Sequence, residues 1–206
     1  IPATVPGTVL ASYMNIGAVP DPNFADNQLQ ISESFFLSDF WYRNEFIVTN
    51  PADYVFLNFD GINWKANVYL NGNKIDRIEG ANVFLNGQKI GKIDGAFMRG
   101  KFDVSKQIVK GKNAIAIQII KNAHPGAIKE QTAYSTDQNG GIPGADNPTF
   151  HATIGWDWIP TIRGRNIGIW DDVYLTSTGK VTIQDPFVQV VLPLPDTTSA
   201  TLTPEG

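Results

Sequence analysis

A chain of 206 residues, 42% hydrophobic, 11% aromatic and 17% charged, has the apolar content for a packed core, and it is too short for an eight-unit α/β barrel, which needs about 250 residues. Its net charge of −4, from 16 basic and 20 acidic residues with no basic cluster longer than the Arg163, Arg165 pair, argues against nucleic acid and an anionic membrane as partners. With no cysteine there are no disulfides, thiolate metal sites or cysteine nucleophiles, and no apolar run approaches the roughly eighteen residues of a membrane span.

In chain order, residues 8–16 read as one short helix after Pro6-Gly7. Extended segments rich in Val, Ile, Phe, Tyr and Trp follow at 35–49, 54–59, 67–70, 74–78, 82–85, 89–93 and 97–103, separated by glycine, proline and polar residues. Asp103-Val104-Ser105 is placed to cap a single turn reaching residue 109, and further strands fall at 113–120, 169–176 and 181–191. About ten strands without a long helix predict an all-β fold, a two-sheet sandwich of jelly-roll type.

Residues 66–80 and 81–95 form a tandem repeat, identical at ten of fifteen positions. Each copy carries an Asn-Gly pair between extended segments, Asn71-Gly72 and Asn86-Gly87, which is the signal for a type I′ hairpin. Two copies are too few for a solenoid, which needs about three. The duplication is therefore expected to lengthen one edge of the sandwich. Residues 123–148, with Gly126, Gly140, Gly141, Gly144 and three prolines, read as a long loop of the kind that usually carries function. Residues 193–206 read as a linker or the start of another domain's first strand. The chain begins at Ile1, which suggests a processed product.

Chemistry-bearing residues are few. His124 and His151 stand 27 positions apart, and neither has metal-ligand spacing, so no metal site is expected from them. The spacing of Asp137, Asp146 and Asp185 is compatible with a loop calcium site but does not require one. No Gly-x-Ser-x-Gly elbow or phosphate-cradling loop is present. Asn44-Glu45 superficially matches the pair that carries the acid in many barrel glycosidases. Alternation along Trp41-Tyr42-Arg43-Asn44-Glu45-Phe46-Ile47 instead puts Glu45 on a strand face with Arg43 and Ile47, in a structural ion pair. Asp171 and Asp172 would point to opposite faces of a strand. The informative cluster is Gly155-Trp156-Asp157-Trp158-Ile159-Pro160, followed by Arg163-Gly164-Arg165-Asn166 and Gly168-Ile169-Trp170. Flat aromatic faces beside carboxylates and amides suit sugars, so Asp157 is the candidate ligand contact, and Trp170 is assigned to the core.

The segments Val5-Pro6-Gly7-Thr8, Pro20-Asp21-Pro22, Phe40-Trp41-Tyr42-Arg43, Asn58-Phe59-Asp60-Gly61-Ile62-Asn63-Trp64, Val68-Tyr69-Leu70-Asn71-Gly72, Gly155-Trp156-Asp157-Trp158 and Gly168-Ile169-Trp170-Asp171-Asp172 occur in the order seen in the N-terminal sugar-binding domain of glycoside hydrolase family 2. The chain resembles that domain over nearly its whole length. Gly-Trp-Asp-Trp and Pro-Asp-Pro make it most similar to the β-mannosidase and exo-β-glucosaminidase branch. The resemblance implies a galactose-binding-like jelly roll over 1–191, with 192–206 as a linker or the start of a truncated immunoglobulin-like domain. A barrel bearing both catalytic Glu would follow in the same chain. It implies substrate-binding roles for Asp157, Trp156, Trp158 and Asp21, no catalytic residue here, no metal and no cofactor. The partners implied are the terminal β-linked sugar of a glycan and the neighbouring domains, with neither nucleic acid nor membrane, in a periplasmic or secreted bacterial enzyme. The alternatives are an autonomous carbohydrate-binding module and a purely structural domain packed against the barrel. The family pattern has one Val-Asn-Gly hairpin where this chain has two, so the local sheet edge should differ.

Overall fold

The computed structural model describes residues 1–71, 73–77, 81–85, 88–93, 97, 99–128, 141–142, 162–183 and 186–205. β1 (Gly7–Thr8) leads into α1 (Val9–Asn15), the helix expected over 8–16. Thr8 caps it, its Oγ1 accepting from Ala11 N at 3.1 Å, and Val9, Leu10 and Ser12 turn into the core. Two short elements were not expected: α2 (Asn27–Gln30) and a 3-10 turn at Glu33–Phe36. The turn takes Phe35 and Phe36 out of the strand assigned to 35–49. Ser32 caps it by accepting from Ser34 N, and Phe36 is buried among Tyr13 and Phe40. The aromatic content of that stretch serves packing and not extension.

The remaining strands are β2 (Phe40–Val48), β3 (Tyr54–Phe59), β4 (Ala66–Leu70), β5 (Asn73–Arg77), β6 (Ala81–Leu85), β7 (Gln88–Ile93), β8 (Gly100–Asp103), β9 (Gly111–Ile119), β10 (Ala127–Ile128), β11 (Gly141–Ile142), β12 (Gly168–Ile169), β13 (Val173–Thr178), β14 (Phe187–Val191) and β15 (Thr201–Glu205). One sheet has the order β2-β9-β4-β5 and the other β13-β3-β8, all neighbours antiparallel. Period-two burial fixes the register. In β9, Ile115, Ile117 and Ile119 face inward while Ala114, Ala116 and Gln118 face out. Tyr42 and Val68 flank Ile117, and Leu57 of the opposing sheet sits between Leu175 and Phe102. These residues form one core, each large apolar side chain contributing about 1.5–3 kcal/mol by leaving water. The all-β sandwich is thus as expected.

Asp103 ends β8 and starts the expected turn: its Oδ1 accepts from Ser105 N and Ser105 Oγ, and Ile108 N donates to Val104 O. Trp170 departs from its core assignment. It is half-buried, its indole laid over Gly61 and edge-on to Phe97, with ring centroids 5.5 Å apart. A Cβ at Gly61 would come within 2.4 Å of that indole, so only glycine fits there.

Both repeat copies form hairpins, β4 with β5 and β6 with β7, each with a β-bulge at the matching place, Val68/Tyr69 and Val83/Phe84. Only the first belongs to a sandwich sheet; β6 and β7 pair with each other alone among the described strands. Of the described residues in the strand expected over 181–191, only those of β14 are extended. That strand pairs with β15 in a two-stranded ribbon whose described side chains are exposed.

Candidate functional site

Trp156, Asp157 and Trp158 lie outside the described residues. The structure does describe residues on either side of that stretch. β10 pairs with β11, Ala127 opposite Ile142, and Ile162 opens the Arg163–Asn166 turn. Gly164, Arg165 and Asn166 all have positive φ there, 74°, 53° and 55°. Gly164 is required twice over, because a Cβ would also sit 2.6 Å from the Phe36 ring.

Arg165 is the most deeply buried charge described, 1% exposed. Its Nη1 donates to Glu33 Oε1 at 2.8 Å and to Ile162 O at 3.0 Å, and its Nε donates to Pro125 O at 2.6 Å. A buried guanidinium is stable only when its donors are matched, and the planar fork of arginine lets several be matched at once. In sequence, Pro125 stands before the Trp156 stretch and Ile162 after it. One guanidinium therefore ties both of these flanking residues to Glu33. Arg163 adds a second cation on the same carboxylate, Nη1 to Glu33 Oε1 at 3.1 Å, while its Nε donates to Gln28 O at 3.1 Å. From the other side, Asn63 Nδ2 donates to Arg165 O at 3.1 Å and Asn166 O at 3.0 Å, and Asn63 and Gly168 exchange backbone hydrogen bonds of 2.9 Å. These contacts hold an unfavourable left-handed run in one conformation. Asn63 Oδ1 and Trp64 Nε1 are buried without hydrogen-bond partners among the described residues.

Asp21 is exposed and closes its own turn, its Oδ1 accepting from Asn23 N at 2.9 Å and Asn23 Nδ2 at 3.2 Å. Asn27 Nδ2 donates to Asp21 O at 3.0 Å, which carries the turn into α2, and Gln28 of α2 meets Arg163. The Asp21 segment and the Arg163–Asn166 turn are thus fastened to one frame. Phe24, in that turn, is 69% exposed. Glu33 and Gln28 escaped the sequence reading because nothing local marks them: Glu33 lies 132 positions from Arg165. Two arginines flanking Gly164 were the available signal, since burying such a pair demands an acid.

Glu45 does sit in an ion pair, Oε2 to Lys112 Nζ at 2.7 Å, on the outer face of β2 with Arg43. Asp171 and Asp172 precede β13 and do not lie in it; Asp172 N donates to Asp171 Oδ1. Among the described residues, no group of three or more His, Asp or Glu is placed to hold a metal, and no helix is long and apolar enough to cross a membrane. His151, Asp137, Asp146 and Asp185 lie outside those residues. Burial raises the Tyr42 hydroxyl to about 12, against a smaller lowering from the nearby Ser12 side chain and Ile169 backbone.

The sequence matches the model of a family described as glycosyl hydrolase 2 galactose-binding domain-like, over residues 1–81 and 78–171. It is 34% identical over 191 residues to a mannosylglycoprotein endo-beta-mannosidase of Lilium longiflorum, covering 90% of this chain and 18% of that protein. It is 29% identical over 203 residues to an exo-beta-D-glucosaminidase of Streptomyces avermitilis, covering 98% and 18%. Among solved structures, the exo-chitosanase CsxA of Amycolatopsis orientalis superposes with a TM-score of 0.63 at 22% identity, over 93% of this chain and 18% of that one. A beta-D-mannosidase of Dictyoglomus thermophilum gives 0.59 at 24% identity, over 91% and 22%. At these identities the superpositions speak for the fold. The chain spans about a fifth of the length of these relatives.

Proposed function

The chain belongs to the glycosyl hydrolase 2 galactose-binding domain-like family, and on that premise we propose that it is the noncatalytic, substrate-contacting sugar-binding domain of a retaining β-glycosidase of mannosidase or glucosaminidase type. The observation that carries this reading is the Arg165 staple. A single buried guanidinium gathers Pro125 and Ile162, which flank in sequence the stretch containing Trp156, Asp157 and Trp158, and a functional segment is best supported from such a fixed frame. On this reading Asp157 accepts hydrogen bonds from sugar hydroxyls, Trp156 and Trp158 wall the sugar, and Asp21 lines the rim from the turn fastened to Arg163. The domain orients the sugar while carboxylates of a barrel elsewhere in the same protein carry out the double displacement. Residues 192–206 then run toward an immunoglobulin-like domain.

The lily relative is named for endo and the actinomycete relative for exo action, so the exo-acting terminal-sugar specificity is the narrower part of the proposal. Relatives in a lily as well as in actinomycetes also widen the bacterial origin implied by the resemblance; a periplasmic or secreted setting is proposed with it. The test is Asp157→Ala in the full-length protein, assayed on nitrophenyl β-mannoside and β-glucosaminide. kcat/KM should fall by about 10-fold or more, the scale of a lost charged hydrogen bond. An unchanged rate would leave the loop a structural role only. Submillimolar binding of mannose or glucosamine by the 206-residue chain alone would replace this reading with an autonomous binding module.

A further inference from the structure

The outer face of the four-stranded sheet carries a groove lined by residues that have no part in the proposed role of Asp157. Its floor is the outward side of the central strand β9, where Ala114 and Ala116 leave the sheet surface low. At one end Trp41 of β2 and Tyr69 of β4 lean together, ring centroids 5.2 Å apart and tilted by 39°, and Trp41 is 52% exposed. Register explains the meeting: Trp41 lies opposite Gln118, Arg43 opposite Ala116, and Ala116 opposite Tyr69. The other end is closed by Glu45 in its ion pair with Lys112, and Arg43 stands between. The open concavity is about 900 Å³. From Trp41 to Glu45 the strand rises ~13 Å, room for about two or three pyranose rings laid along it.

Beside Trp41, a polar chain is held rigid. Asn67 Nδ2 donates to Gln118 Oε1 at 2.6 Å, and Gln118 Nε2 donates to Asp39 Oδ2 at 2.8 Å. An exposed aromatic pair at the end of a shallow floor, with the Arg43 guanidinium, the Asn44 amide and the Glu45 carboxylate along it, offers apolar C–H faces a platform and hydroxyls their donors and acceptors. Protein partners favour a different surface, since the core of a protein interface is depleted of charged groups.

We propose that this groove binds an internal stretch of a neutral β-linked oligosaccharide chain, separately from the loop that bears Asp157. The site holds polymeric substrate against the domain, and it does not depend on the proposed role of that loop. In the full-length protein, Trp41→Ala with Tyr69→Ala should weaken binding to mannohexaose, cellohexaose or chitohexaose, and retardation in galactomannan or glycol-chitin gels, by about 10-fold or more. Turnover of a nitrophenyl β-glycoside should be unchanged, because that small substrate does not reach the groove. Ala116→Trp, which fills the floor from the solvent side, should abolish binding while keeping the aromatic pair, and covers the case in which the double variant does not fold. Gel retardation also reads the groove if the protein proves to have no glycosidase activity. The proposal is overturned if the parent protein is not retarded by any of these glycans, or if retardation is the same in parent and variants. It is equally overturned if both variants lose thermal stability together with binding, since the face would then be covered by another part of the protein.

Discussion

The β4–β5 and β6–β7 pairs of the two repeat copies form the same hairpin, with a bulge at the same place in each, yet among the described strands only the first is hydrogen-bonded into a sheet of the sandwich. The difference shows which information is local and which is not. Alternating apolar residues and an Asn-Gly pair suffice to make the hairpin twice. β9 has one edge left after pairing with β2, and the first copy takes it. The second copy lies beside the outer strand β5 without joining its ladder among the described strands. The first copy is clamped in its place. Asn71, at φ 50°, donates from Nδ2 to Gln107 O and Asn113 Oδ1, both at 2.9 Å, and its Oδ1 accepts from Ala114 N at 2.8 Å. Asn113 is itself buried and bonded to Val109 and Gly111. The family match parts at the same place, its two segments overlapping over 78–81 where the copies join.

Matched substitutions give the strongest test of that contrast. Asn71→Ala removes three side-chain hydrogen bonds and puts alanine in the left-handed region, and should cost about 3–4 kcal/mol in denaturant unfolding. Asn86→Ala should cost about 1 kcal/mol or less, the loss expected for a turn residue alone. Equal losses would mean that the second turn is clamped as firmly as the first. The alkaline limb of stability offers the next test. Tyr42 is neutral and buried in the sandwich, and its hydroxyl is raised from 10.0 to about 12. The unfolded chain therefore ionises first. Stability is fully present below pH 10, falls as pH rises through the window up to about 12, and the total loss is about 2–3 kcal/mol. Tyr42→Phe should abolish this loss, whereas excising 81–95 should leave its midpoint in place. The smallest effect separates sequence from position. Excising 66–80 offers the second copy to β9, and excising 81–95 leaves the first; both products should fold, with Tm values within about 5 °C of each other. If only the second product folds, the five differing positions, Tyr69 among them, decide the seat.

The sequence made the hairpins, the Thr8 cap, the Asp103 turn and the all-β class readable because each rests on neighbours a few positions apart. The resemblance supplied what no short-range pattern contains, the order of the domain's segments. Two things stayed hidden. The Glu33–Phe36 turn competes with the strand propensity of its own phenylalanines, and packing of Phe36 against Gly164 decides the outcome. The Arg163 and Arg165 frame was half visible: the arginines stood out, but their acid and the two backbone ends they gather are brought together only by folding.

The duplication has one further consequence, which concerns chain direction. An antiparallel hairpin brings the chain back to the end from which it set out, so a second hairpin adds two strands and returns the chain to the same end once more. β8 can then enter its sheet beside β3 with its direction unchanged. Inserting a single strand there would have delivered the chain to the opposite end of the sandwich and reversed every strand after it. The parity of the inserted strands, more than their length, is what lets this domain carry fifteen extra residues without a change of topology.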